Sequence, residues 1–169
     1  ILSHKRGPLF NADKEVERLY KNKKIIRKLR KKLSIDTKEN FKSTLKKKIL
    51  NNKKNIKKLE KIIHPIIRRE MKKFSFLHNK KKLIFFEIPL LIESKLMNYF
   101  DVIIFIKSKK KLRLRRFKAN GGDIKLFNLL NGKQFSDQIK AKFSDHTVVN
   151  EKNLNILKKK LLGIVKLYV

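Results

Sequence analysis

Three short apolar runs limit what this chain can become. They are "LIFFEI" (83–88), "DVIIFI" (101–106) and "HTVV" (146–149), and helical patterns separate them. A continuous apolar run of this length reads as a strand buried on both faces of a parallel sheet. Strands that alternate with helices predict an α/β fold. A fourth short strand is expected at "LF" (9–10), bounded by the turn residues Gly7 and Pro8 and followed by Asn11-Ala12-Asp13. Asp13 stands where it can cap the next helix, on which Val16, Leu19 and Tyr20 share an apolar face.

Residues 21–80 carry no strand pattern and read as an all-helical lobe, with Leu45, Ile49, Ile56, Leu59, Ile62 and Ile63 at helical spacings. Pro65 is expected to break or kink the helix at His64. Further helices are predicted at "LLIESKLMNYF", at the arginine-rich "KKKLRLRRFKA", at "IKLFNLLN" and "FSDQIKAKF", and at "NLNILKKKLLGIVKLY". The length of 169 residues suits one domain, with room for an inserted lobe.

The chain holds 47 Lys and Arg against 14 acids, a formal net charge of +33. Such a field attracts polyanions, nucleic acid among them. The lysines, however, are scattered through every segment, beside many Ile, Asn and Phe, and lack the aromatic interleaving of an RNA-binding surface. Compositional drift is the preferred reading, and nucleic acid is not the expected partner. There are no cysteines, which excludes disulfides, thiolate metal sites and cysteine nucleophiles, and fits a cytoplasmic setting. No apolar run approaches the roughly 18 residues of a membrane span.

In an open parallel sheet, ligands bind beyond the carboxyl ends of the strands. Asp13 and Glu87 stand at such ends. A carboxylate there can hold Mg²⁺ through water or orient a hydroxyl nucleophile. Equally, Asp13 can be only a helix cap and Glu87 only a strand-end acid. Arg113, Arg115, Arg116 and Lys118 crowd one short helix before a Gly-Gly turn. Their forks suit phosphates, and a solvated helix face explains them as well.

The blocks "LFNADKEVERLY", "LEKIIHPIIRREM", "FEIPLLIESKLMNYFDVII" and "QFSDQIKAKFSDHTVVN" together resemble dephospho-coenzyme A kinases, in order and approximate spacing and over nearly the whole chain. H-P-x-I-R and P-L-L-x-E are the specific parts. The resemblance implies a P-loop kinase-type three-layer α/β fold with a parallel sheet, a helical substrate lobe (14–80) and a helical lid (112–140). It implies phosphoryl transfer from ATP, with Mg²⁺, to the ribose 3′-hydroxyl of dephospho-coenzyme A, the last step of coenzyme A synthesis. Asp13 then matches the general base. His64, Arg68, Glu87 and Glu93 match the substrate side. Arg115, with Arg116 or Lys118 beside it, matches the lid arginines. Gln134, Lys140 and Asn150 match the lid return and the segment near the adenine.

Three departures stand out. Asn11 replaces the family's first acid, and Ala119 stands where a second lid arginine is usual. No segment reads G-x-x-x-x-G-K-[ST], the loop that cradles ATP phosphates. The expectation is a kinase domain incomplete at its N-terminus, with "ILSHKRG" as the tail of the first helix, and an inactive fragment. The alternatives are a basic RNA-binding protein on a degraded kinase scaffold, or another P-loop nucleoside phosphate kinase.

Overall fold

A computed structural model describes residues 6–169 of the chain. The expected tail of a preceding helix falls almost wholly outside the described residues. Two compact units divide the rest, Gly7–Ile88 and Pro89–Val169. Each carries one pair of parallel strands among helices, so the α/β class with parallel strands holds.

The first unit holds β1 (Leu9–Asn11), α1 (Ala12–Leu19), α2 (Lys23–Leu33), α3 (Phe41–Asn51), α4 (Lys54–Leu77) and β2 (Phe85–Glu87). β1 runs parallel to β2, with Leu9, Phe10 and Asn11 opposite Phe85, Phe86 and Glu87. Gly7 permits the approach, because a Cβ there would lie 2.2 Å from the Leu83 carbonyl oxygen. Phe10 is buried, and its ring centre lies 5.6 Å from that of Phe74 on α4 and 5.7 Å from that of Phe86. α4 also packs on α1, α2 and α3. Leu29, Leu33, Leu45, Ile56, Ile62, Ile63, Ile67 and Met71 bury the core this makes. The asparagine-rich composition has a structural use here. Asn11, Asn22 and Asn40 each cap a helix, accepting from backbone N–H groups of the first turn.

Three expectations change. β2 and the strand formed within "DVIIFI" are half-buried to exposed, not covered on both faces. Pro65, expected to break or kink its helix, does not break it, since α4 runs through it for 24 residues. Pro65 costs the bond to the Lys61 carbonyl, about 3 kcal/mol. Ile62, Ile63 and Ile67 are buried on both sides of it, each contributing roughly 1.5–3 kcal/mol, and they hold the helix together. The third change lies in the second unit, where "LLIESKLMNYF" forms a single turn rather than a helix. Lys95 takes a left-handed φ of 54°. Its N–H donates to Ile92 O, and the N–H of Leu96 donates to Leu91 O, at 3.0 and 3.1 Å. That is the six-to-one and five-to-two pairing that closes a helix C-terminus. Lysine rather than glycine at the left-handed position hid it from the sequence. A 3₁₀ turn follows at Met97–Tyr99.

The second unit continues with β3 (Ile104–Lys107), α5 (Lys110–Ala119), α6 (Ile124–Asn131), α7 (Asp137–Lys142), β4 (His146–Val149) and α8 (Leu154–Val165). β3 and β4 are parallel, with Ile104 opposite His146 and Ile106 opposite Val148. Val148, Leu157 and Leu161 form the buried centre, with Ile104 and Ile164 against it. Among the described residues, no helix is long and apolar enough to cross a membrane.

Candidate active site

The carboxyl ends of β1 and β2 bring three of the singled-out residues together. Asn11 and Glu87 are direct partners across the pair. The Asn11 Oδ1 accepts from Lys14 N at 2.9 Å, so Asn11, not Asp13, is the cap of α1. The Asn11 Nδ2 donates to a Glu87 carboxylate oxygen. Asp13 sits in the first turn of α1 and is released from the capping role that its position suggested. Its carboxylate accepts no hydrogen bond among the described residues. Much of the residue stays exposed, yet partial burial of its carboxyl is the first cause that raises its pKa above the ordinary value. The negative charges of Glu87 and then Glu17 push it further the same way.

His64 and Arg68 lie on one face of α4, one turn apart. Lys57, Lys61 and Lys72 continue that face along an open groove, where Glu60 is the one acid among the described lining residues. A helix repeats every 3.6 residues, so positions 57, 61, 64, 68 and 72 stack as a stripe. The stripe suits a ligand that carries several negative charges.

The second unit gathers the remaining candidates into two bonded groups. Glu93, placed by the turn that ends at Lys95, accepts from Phe135 N at 2.8 Å. The Lys140 Nζ lies 3.6 Å from the same carboxylate oxygen, donates to Gln134 Oε1 at 2.7 Å and stands over the Phe105 ring. Gln134 Oε1 also accepts from Arg113 at 3.1 Å. P-L-L-x-E and Q-x-x-x-x-x-K therefore meet through Glu93 and Lys140, and Arg113 joins them, a residue the sequence reading did not single out from its neighbours. Arg116 donates to Asn150, to the backbone oxygen at 3.3 Å and to Oδ1 at 3.4 Å. Arg115 and Lys118 are exposed, and Arg115 has no partner among the described residues. On α5, Arg113 and Arg116 are thus committed to the unit, and Arg115 is free to meet a ligand.

The family model for dephospho-CoA kinase matches residues 10–155. The chain belongs to the dephospho-CoA kinase family. The matched span runs from β1 to the start of α8 and includes every candidate residue named above. A dephospho-CoA kinase of Ehrlichia canis is 29% identical over 148 residues, 85% of this chain and 74% of that protein. One from Bartonella henselae is 27% identical over 164 residues, 94% of this chain and 84% of its own length. Among solved structures, the Thermus thermophilus protein TT1252 superposes with a TM-score of 0.75 at 22% identity, covering 99% of this chain and 88% of that one. A dephospho-CoA kinase from Campylobacter jejuni gives 0.63, also at 22% identity, over 95% and 84%. These two likenesses show the fold. The family consists of phosphotransferases of coenzyme A biosynthesis that use ATP as substrate.

Among the described residues, no cluster of three or more His, Asp or Glu side chains could cage a metal ion.

Proposed function

We propose that Asp13 is the general base that takes the proton of the ribose 3′-hydroxyl of dephospho-coenzyme A. The hydroxyl oxygen then attacks the γ-phosphorus of ATP, the bond to the bridging oxygen breaks, and ADP leaves. The observation that supports this reading is a strand-end carboxylate, free of hydrogen bonds, whose proton affinity is raised by burial and by two neighbouring acids. Such a base is better matched to neutral pH than an ordinary aspartate. Little covalent chemistry is left for the protein in phosphoryl transfer, and catalysis is positioning and charge.

The same reading gives roles to the other candidate residues. Residues 14–80 form the substrate lobe, where the cationic stripe with His64 and Arg68 on α4 receives the phosphates of dephospho-coenzyme A. Glu87 orients the sugar end, and Glu93, a substrate-side residue by its match to P-L-L-x-E, anchors the second unit. Residues 112–140 form the lid, where Arg115, supported by Arg116 and Lys118, reaches the ATP phosphates. Gln134, Lys140 and Asn150 hold the lid return. Mg²⁺ arrives with ATP, where it neutralises charge on the phosphate oxygens, and no protein cage is needed for it. The setting is cytoplasmic.

No G-x-x-x-x-G-K-[ST] loop occurs in the 169 residues. That loop supplies several charge-assisted hydrogen bonds of roughly 1.5–3 kcal/mol each. Doing without three of them costs about 4 kcal/mol or more, which is about a thousandfold in affinity. These residues alone are therefore expected to bind ATP weakly and to turn nothing over. The test is calorimetric ATP titration and a coupled assay with dephospho-coenzyme A, on these residues and on a chain with a strand and loop from a relative grafted ahead of them. Turnover in the grafted chain, lowered about 10² to 10⁴-fold by Asp13→Asn, supports the reading. Undiminished turnover in that variant removes Asp13 as the base.

A further inference from the structure

Asn11 uses both ends of its amide. Its Oδ1 must accept, because it caps α1 through the N–H of Lys14. The other end is therefore the NH₂ group, and it donates to the carboxylate of Glu87. The two residues stand directly opposite in the parallel β1–β2 pair, so one side chain spans from the start of a helix to the end of the neighbouring strand. Few side chains of this length can do both. An aspartate would cap α1 as well, since Asp and Asn are equivalent caps. It would also set a third carboxylate against Glu87 and Asp13, where like charges repel.

We propose that Asn11 is a positioning residue, which fixes the Glu87 carboxylate against the start of α1 and leaves Asp13 as the unbonded carboxylate of the group. The proposal rests on the reading of Asp13 as the base, but its geometry lies wholly in the first unit. The charged groups that raise its pKa are Glu87 from β2 and Glu17 from its own helix. With Glu87 tied, its distance from Asp13 is constant. Untied, the exposed Glu87 side chain can swing away into water.

The test uses the chain as it is and needs no turnover. Carbon-detected NMR follows the titration of the Asp13 carboxyl and the rotamer averaging of the Glu87 methylenes in the native protein, Asn11→Gly and Asn11→Asp. Glycine is nearly as good a cap, so α1 should survive. The expected result is a fixed Glu87 rotamer in the native protein and an averaged one in both variants. The Asp13 midpoint should fall in Asn11→Gly, as repulsion relaxes, and rise in Asn11→Asp. A Glu87 rotamer that stays fixed in both variants, or an Asp13 midpoint unmoved in Asn11→Gly, overturns the proposal and leaves Asn11 as a cap alone. If the glycine variant fails to fold, the Glu87 rotamer in Asn11→Asp decides. Failure of Asp13 as base is read separately, from turnover of Asp13→Asn in the grafted chain.

Discussion

The Lys140 ammonium stands 3.6 Å from a Glu93 carboxylate oxygen, with 10% and 11% of the two side chains exposed. Burying such a pair is costly unless the remaining donors and acceptors are met. Here they are met in part, by Phe135 N–H on the acid and by Gln134 and the Phe105 ring on the base. The pair closes the turn after β2 onto the approach to α7.

Breaking this pair from one side should be worse than removing it. Lys140→Met strands a buried carboxylate and is expected to cost about 3 kcal/mol, the usual scale for an orphaned charge. Adding Glu93→Gln removes that charge while keeping an acceptor for Phe135. The double variant should recover much of the loss. Urea unfolding of the two single variants and the double checks it, and additive losses would show that the pair does not couple.

Asp13 should make the protein less stable as pH rises. Its folded pKa lies above the unfolded 3.8, so the native state holds the proton more tightly. Stability is greatest while the group is protonated. It declines as pH climbs from the unfolded value through the raised folded one, and the deficit persists above that window. Asp13→Asn should flatten this slope and gain stability at neutral pH. Urea midpoints across the acid range should converge at low pH and separate at neutrality.

Arg115 and Arg113 should separate cleanly on substitution. Arg115 is exposed and unbonded among the described residues, so Arg115→Ala should leave the thermal midpoint unchanged and lower turnover in the grafted chain, by up to about 10³-fold. Arg113 shares Gln134 with Lys140, so Arg113→Ala should cost about 1–2 kcal/mol of stability. Thermal unfolding and the coupled assay, run on both variants, check the pair.

Pro65→Ala should stabilise the chain. Pro65 is exposed within α4, and alanine restores an N–H for the Lys61 carbonyl. The helix gain of about 3 kcal/mol is offset by up to about 1 kcal/mol of unfolded-chain entropy, leaving about 2 kcal/mol. A lower urea midpoint in Pro65→Ala would mean that the proline itself makes a contact that matters.

Much of this protein could be read without coordinates, because local patterns decide local structure. "HTVV" is a strand over the very residues expected and "IKLFNLLN" a helix, since each holds one periodicity from end to end; "KKKLRLRRFKA" is a helix without an apolar stripe, made of the strong helix formers Lys, Leu and Arg. The ordered blocks around Asp13, His64, Glu87 and Gln134 identified the family by residue type and spacing alone. What the sequence could not decide were outcomes of competition between distant groups. Asn11 rather than Asp13 caps α1 because the helix begins at Ala12, directly after a strand end that pairs with Glu87, 76 residues away. Pro65 stays helical because isoleucines before and after it are buried against three other helices. Lys95 accepts a left-handed backbone because Ile92 and Leu96 are buried beside it. Which arginine of α5 remains free was likewise settled by where Gln134 and Asn150 come to lie. Each is a balance of a few kcal/mol between local preference and tertiary burial, and only the folded chain contains the second term.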